Sequence, residues 1–393
     1  MTAQPIVEFD HYDEAVARDP FPVLADLRSR CPVAHSSAHG GFWVVTSYAD
    51  VETVTHDPAT YSSRHTSIPA EFGLGDFVIP PVQLDPPEHT RVKRLLARAF
   101  VPSVAAPYEP WVREYVVTLL DSLDGHASFD AAYAFARRVP TALVSQLLGA
   151  PDAVDDMVSW VDRMLEQAAT DPETAIAAGM EVFAFVGDLV ARRTTQPGPD
   201  LLSRFLAEEV DGERLTGDEV TLAGVLMVMA GIDTTQHTLG SALHHLASRP
   251  DDQERLRADP ALIEPAVEEF LRAFAPVTPA RVVVKDAELS GQALHAGDML
   301  LVSFPSANRD EAVFDRADEV VLDRSPNRHL AFGSGIHRCL GVNFARMELR
   351  VALAEFVQRM SPFSLTDGAE VVWTRGQVRG PKHLQVSPAS AAR

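Results

Sequence analysis

A single cysteine towards the C-terminal end sits where it could do chemistry. In Ala331-Phe-Gly-Ser-Gly-Ile-His-Arg-Cys-Leu-Gly341, the glycines Gly333, Gly335 and Gly341 bracket Cys339, and a helical pattern follows to about Met360. A cysteine at a helix N-terminus meets unpaired amides and the positive end of the helix dipole, and both favour the thiolate. His337 and Arg338 add positive potential. Glycines permit tight turns and let a flat ligand approach the backbone. Such a thiolate can be a nucleophile or a metal ligand. Zinc would need further Cys or His at ligand spacing, and they are missing. A single axial ligand on haem iron needs only one cysteine. An inert cysteine in a glycine-rich turn is the competing reading.

The elements that must hold this segment come next. Thr216-Gly-Asp-Glu219 is a capping box, from which an apolar-rich helix can run to Ser248, just before Arg249-Pro250. That is about 32 residues, or roughly 48 Å at 1.5 Å per residue. A helix so long and apolar in mid-chain is expected to be central and buried. It carries Ala230-Gly-Ile-Asp-Thr-Thr235. Glycine there costs about 1 kcal/mol relative to alanine, but it lets another group approach the helix. Thr234 can bond a carbonyl one turn back and open the helix locally. A tolerated glycine with back-bonded threonines in a core helix is the alternative. On the helix 262–274, Glu269 and Arg272 stand at i and i+3 and can pair. In Leu84-Asp-Pro-Pro-Glu-His-Thr-Arg-Val-Lys-Arg94, His89 and Lys93 share one helix face, and Arg91, Arg94 and Arg98 share another. No acidic residue occurs from His89 to Tyr108, so a local basic patch is expected.

Phe332, Gly335, Cys339 and Gly341 match Phe-x-x-Gly-x-x-x-Cys-x-Gly, and His337 suits the bacterial form of that motif. On these residues the chain resembles the cytochrome P450 family of haem-thiolate monooxygenases. The Ala230–Thr235, Glu269–Arg272 and Leu84–Arg94 segments fit the family's other motifs in order, from about residue 40 to about 385. The resemblance implies haem b with Cys339 as axial iron ligand, and Phe332, Gly335 and Gly341 shaping its loop. It implies that His89, Lys93, Arg281 and His337 meet the haem propionates; relatives usually carry Arg where this chain has Lys93. It implies a structural role for Glu269 and Arg272, tied to the Asn327-Arg328-His329 loop. Asp233 and Thr234 become the catalytic pair, feeding protons to dioxygen. One oxygen atom would enter the substrate and the other leave as water. A separate ferredoxin and ferredoxin reductase would supply electrons, docking at Arg91, Arg94 and Arg98. The pocket would draw on residues 68–79, part of 160–185, Leu226, Met229, Ala230, Val277, Thr278 and the Gln377-Val378 turn, which are mostly apolar. A small apolar organic substrate follows. An atypical or peroxide-driven haem-thiolate reaction, and a non-catalytic haem or ligand-binding protein, stay open. The Asp233–Thr234 pair favours ordinary oxygen activation, since peroxide-driven members often lack that alcohol.

The chain has 393 residues, 46% of them hydrophobic, and a formal net charge of −21. That composition suits a large core, and that charge excludes a nucleic-acid-binding surface or a polybasic membrane patch. Two cysteines exclude a disulfide scaffold, and Cys31, before Pro32, receives no role. The first ten residues show no signal peptide, and the apolar stretch Leu222–Ile232 is about half a bilayer span. A cytoplasmic, monomeric protein without a membrane anchor is expected, built as one domain over 1–393. Its fold class is mainly α with a smaller β part: helices over 88–100, 105–123, 131–148, 152–169 and 173–194, and strands near 40–46 and 280–303.

Overall fold

The computed structural model describes residues 6–69, 78–166, 171–360 and 362–389. Its axis is the helix Gly217–Ser248. The capping box forms as the sequence dictates: Thr216 Oγ1 accepts the Glu219 N–H at 3.2 Å, and Glu219 Oε2 accepts the Thr216 N–H at 2.8 Å. Beyond the first turn most of this helix is buried, so it lacks the broad polar face that would give it an amphipathic period. Neighbours approach it where side chains are missing. A Cβ on Gly224 would stand 2.6 Å from Val186, and one on Gly240 would stand 2.9 Å from Pro381.

Around it pack Glu109–Leu123, Arg138–Leu147, Ile263–Ala273 and Val342–Met360, sharing one apolar core. The helix Pro172–Thr195 is long and apolar enough by length and composition to cross a membrane. Here its Val182, Val186, Leu189 and Val190 are buried in that same core. The expected helix over 152–169 is observed as Val154–Val161 followed by a wider turn, Asp162–Glu166; residues 167–170 lie outside the described residues.

The largest sheet among the described residues is six-stranded and mixed, beside one three-stranded and two two-stranded sheets. Its spatial order is Ile6–Val7, Val33–Ser36, Phe42–Val45, Met299–Val302, Ala280–Val283, Tyr61–Ser62. Successive side chains in a strand point to opposite faces. Trp43 and Val45 therefore join Leu300, Val302 and Phe304 on one side, while Phe42 and Val44 join Leu24, Leu27 and Leu301 on the other. Each fully buried side chain of this kind is worth about 1.5–3 kcal/mol.

One polar knot lies inside. Glu269 and Arg272 are 0% exposed. Arg272 spends all five N–H donors: two on Glu269 at 2.8 Å, and the others on the carbonyls of Asn308, Ala317 and Glu319 at 2.7–2.8 Å. Glu269 also accepts from Val321 N, Arg324 Nε and Asn327 Nδ2. The pair thus fastens the helix Ile263–Ala273 to the segment 308–327, which leads into the cysteine loop.

Candidate active site around Cys339

The loop before Val342 is shaped by backbone. Gly333 and Gly335 hold φ of 68° and 65°, the left-handed region that favours glycine. At Gly335 space also forbids any other residue, because a Cβ there would lie 2.1 Å from the Thr55 carbonyl oxygen. The loop is therefore pressed onto the end of the helix Tyr48–His56. The Cys339 N–H donates to Phe332 O at 2.8 Å. Burial pushes the Cys339 thiol up, while a hydrogen bond from the Gly341 backbone and the charges of Lys93 and Arg338 pull it down. Cys339 keeps solvent access although protein encloses it, as the wall of an interior cleft does.

Beside this loop lies a set of buried cationic and donor groups with little to bond. Neither ring nitrogen of His89 has a partner, nor does Nε2 of His337, and the two rings stand 4.3 Å apart. Arg281 is buried and, among the described residues, donates only to the carbonyl of its neighbour Ala280, at 2.7 Å. Burial, with Lys93 adding, lowers His89 to about 4. Burial, then Arg281, His89 and Lys93, lowers His337 to about 2. Burial lowers Arg281 to about 10. Buried donors of this kind are normally satisfied. The group that would satisfy them is anionic and reaches several at once, which fits the paired propionates of a haem whose iron meets Cys339.

Lys93 has acceptors within the chain. Its ammonium bonds the carbonyl oxygens of Ile336 and Arg338, the latter at 2.7 Å, and burial lowers it to about 8. A compact ammonium on a flexible stem can cap loop carbonyls that a guanidinium fork would fit poorly. Lys93 braces the cysteine loop.

The basic patch is also corrected. Arg91 pairs with Glu219, Arg94 with Asp211 and Glu213, and Arg98 with Glu208. The helix Glu88–Ala97 has no acids after its first turn, but the acid-rich approach to the central helix folds beside it. The three arginines are neutralised within the chain. On this side Arg338 stays exposed, with no ion pair among the described residues.

On the central helix, Thr234 Oγ1 donates to Ala230 O at 2.8 Å, yet the helix runs unbroken from Gly217 to Ser248. The group closing on Gly231 is Val144, whose methyl would stand 3.0 Å from a Cβ there. Ala230 is exposed midway along a buried helix. Asp233 is buried; its Oδ1 accepts from Gln236 Nε2 at 3.1 Å and lies 3.0 Å from His237 Nε2. Gln236 Oε1 in turn accepts from Arg137 Nε at 3.1 Å, and Arg137 pairs with the half-buried Asp162. The next hydroxyl, Thr235, bonds the carboxyl of Glu348, joining this helix to the one that follows Cys339. Burial raises Glu348 well above the ordinary carboxyl range.

Among the expected pocket residues, Val277 and Val378 form an isolated antiparallel bridge, and the Thr278 N–H donates to Gln377 O at 2.9 Å. Leu226 and Met229 are half-buried, and Met229 touches the main core. Ile68 and Ile79 are buried, while 70–77 lie outside the described residues.

Gln236, His237, Arg137 and Glu348 were missed as partners of the Asp233 region. The one signal available was spacing, since His237 is i+4 from Asp233 and so shares its helix face. Arg137 and Glu348 come from distant segments.

A family model described as Cytochrome P450 matches residues 146–369. The chain is 32% identical over 397 residues to the vitamin D(3) 25-hydroxylase of Pseudonocardia autotrophica, covering 98% of each. It is 33% identical over 358 residues to the mycinamicin IV hydroxylase/epoxidase of Micromonospora griseorubida, covering 88% of this chain and 89% of that one. The solved structure of cytochrome P450 CYP109Q5 from Chondromyces apiculatus superposes with a TM-score of 0.90 at 31% identity, over 98% of this chain and 99% of that one. The chain belongs to the cytochrome P450 family, with that family's fold. It is a haem-dependent monooxygenase that uses dioxygen; its cytochrome P450 relatives act on small substrates and need redox partners.

Proposed function

We propose that the chain holds haem b with Cys339 as axial ligand and His89, His337 and Arg281 on the propionates, and oxygenates a largely apolar small molecule. The observation that carries this is the convergence of the buried His89 and Arg281 and the half-buried His337, all under-bonded, beside a cysteine whose sulfur meets the Gly341 backbone. When bound, the haem supplies dioxygen activation, and a thiolate ligand donates the electron density that favours O–O scission. The Gly341 backbone, Lys93 and Arg338 favour the thiolate against the larger opposing effect of burial. Gly333 and Gly335 keep Phe332 and the loop in one position. Asp233 is the carboxyl that passes protons inward, aligned by Gln236 and His237. Thr234 Oγ1, resting on Ala230 O, is the hydroxyl through which that proton reaches the reacting centre. The half-buried Leu226, Met229, Val277, Thr278 and Val378, with Ala230, face the substrate and exclude water. Two of the relatives above are named for acting on vitamin D(3) and on mycinamicin IV, which supports a bulky, mainly apolar substrate.

A ferredoxin with its reductase is the proposed electron source, with Arg338 as the unpaired cation available to an acidic donor. We place the enzyme in the cytoplasm as a monomer.

Thr234→Ala tests the relay. With ferredoxin, reductase and a turned-over substrate, NADH and dioxygen consumption should continue while product per NADH falls by about tenfold or more, in the range of lost general-acid catalysis. The missing reducing equivalents should appear as hydrogen peroxide. Unchanged coupling would remove Thr234 from the proton path, and wild-type product formation with peroxide alone at the full rate would favour the peroxide-driven reading.

A further inference from the structure

Remote from the cysteine loop, three metal-ligating side chains converge near the N-terminus. One ligand atom from each of Asp10, His11 and His39 lies within 4.8 Å of the other two. His11 is only 7% exposed. Its Nε2 lies 2.9 Å from the Ile68 carbonyl oxygen, which can only accept, so that nitrogen carries the proton. Nδ1 is left with its lone pair. It is buried, has no hydrogen-bond partner among the described residues, and faces Asp10 Oδ1 at 3.9 Å. Two acceptors, a carboxylate oxygen and an imidazole lone pair, thus look at each other with no hydrogen between them. A buried acceptor without a donor is uncommon.

The surroundings are those of a ligand set. Metal-bound histidines usually give their other N–H to a carbonyl, as His11 does to Ile68. The Tyr12 N–H donates to Asp10 Oδ1 at 2.8 Å and fixes the carboxylate. His39 Nε2 stands 2.8 Å from the same oxygen. His39 lies in the turn between the strands Val33–Ser36 and Phe42–Val45, on the solvent side, so an ion has a path in. A tetrahedral ion with bonds of about 2.0–2.1 Å sets ligand atoms about 3.3–3.4 Å apart. For two of the three pairs the observed 2.8 and 3.9 Å bracket that separation, and the two histidine nitrogens, within 4.8 Å of each other, must draw together as the ion binds. Magnesium and calcium want more oxygen ligands than this set offers.

We infer that Asp10, His11 and His39 form a three-ligand site for zinc or a similar borderline divalent cation, separate from the haem, with water in the fourth position. Bound there, the ion ties the chain around Asp10 to the turn at His39.

The test uses the full, haem-loaded chain, freed of loose metal with a chelator and then dialysed against micromolar Zn²⁺ or Mg²⁺. Elemental analysis should give one zinc per chain beside the haem iron, and no magnesium. Asp10→Asn and His39→Ala should each weaken zinc binding at least tenfold while keeping the wild-type circular dichroism. Zinc should raise the melting temperature of the wild type and of neither variant. X-ray absorption at the zinc edge should show two imidazole nitrogens. No zinc bound at these concentrations, meaning that the cluster is only a His39–Asp10 ion pair, would overturn the assignment. So would variants that bind zinc as the wild type does.

Discussion

Glu269→Gln should yield a chain that unfolds far more easily than the wild type and retains little haem. The substitution conserves shape but removes a buried charge that answers two guanidinium groups, Arg272 and Arg324. Arg272 is then left charged at 0% exposure. Breaking a buried pair on one side costs about 3–5 kcal/mol, a large share of the roughly 5–15 kcal/mol that holds a domain together. Arg272→Lys should do nearly as much damage, because an ammonium cannot make the two-pronged contact and reach three carbonyls as well. Asp26→Asn is the control. Its pair with Arg30 is exposed on both sides, and such pairs contribute little to stability. Urea titration of the three variants, with haem content measured per chain, decides the matter. A Glu269→Gln protein within about 1 kcal/mol of wild type would show that the knot is not essential.

Gly335→Ala should be the most damaging single-methyl change in the cysteine loop. A left-handed φ of 65° costs a side-chain-bearing residue about 1–3 kcal/mol by itself. Here the added carbon would also lie 2.1 Å from a backbone oxygen that no rotamer change can move aside. Either the loop or the end of the helix Tyr48–His56 must shift, and Cys339 lies four residues on. Gly291 separates the two effects, since its φ is 77° but nothing lies within 4 Å of its Cβ position. Gly291→Ala should cost the backbone term alone and leave the haem spectrum intact. Gly335→Ala should lower the melting temperature further and disturb thiolate ligation. Equal melting temperatures and spectra for the two variants would refute the packing argument.

Much of this was legible in the chain, and the gaps have physical causes. Helices announce themselves by local signals, and Gly217–Ser248 was bounded at both ends by its capping box and by Pro250. The two-residue strands Ile6–Val7, Tyr61–Ser62 and Phe129–Asp130 exist only because distant segments offer them a hydrogen-bonding edge. No local pattern could show them. The same division runs through the site. The cysteine motif is contiguous and could be read directly. The charge state of Arg91, Arg94 and Arg98 depends on Glu208, Asp211, Glu213 and Glu219, more than a hundred residues away, and a reading of one helix saw only its own cations. Lys93 was placed on the right helix face, but which acceptor it meets is set by how the cysteine loop folds over it.

The most direct test of the central claim is the absorption spectrum of the dithionite-reduced, haem-loaded protein under carbon monoxide. Thiolate ligation by Cys339 predicts the red-shifted Soret band that gives the family its name, and its loss in Cys339→Ser. A band typical of histidine or neutral-thiol ligation in freshly folded protein would contradict the account, as would a wild-type band that persists without Cys339.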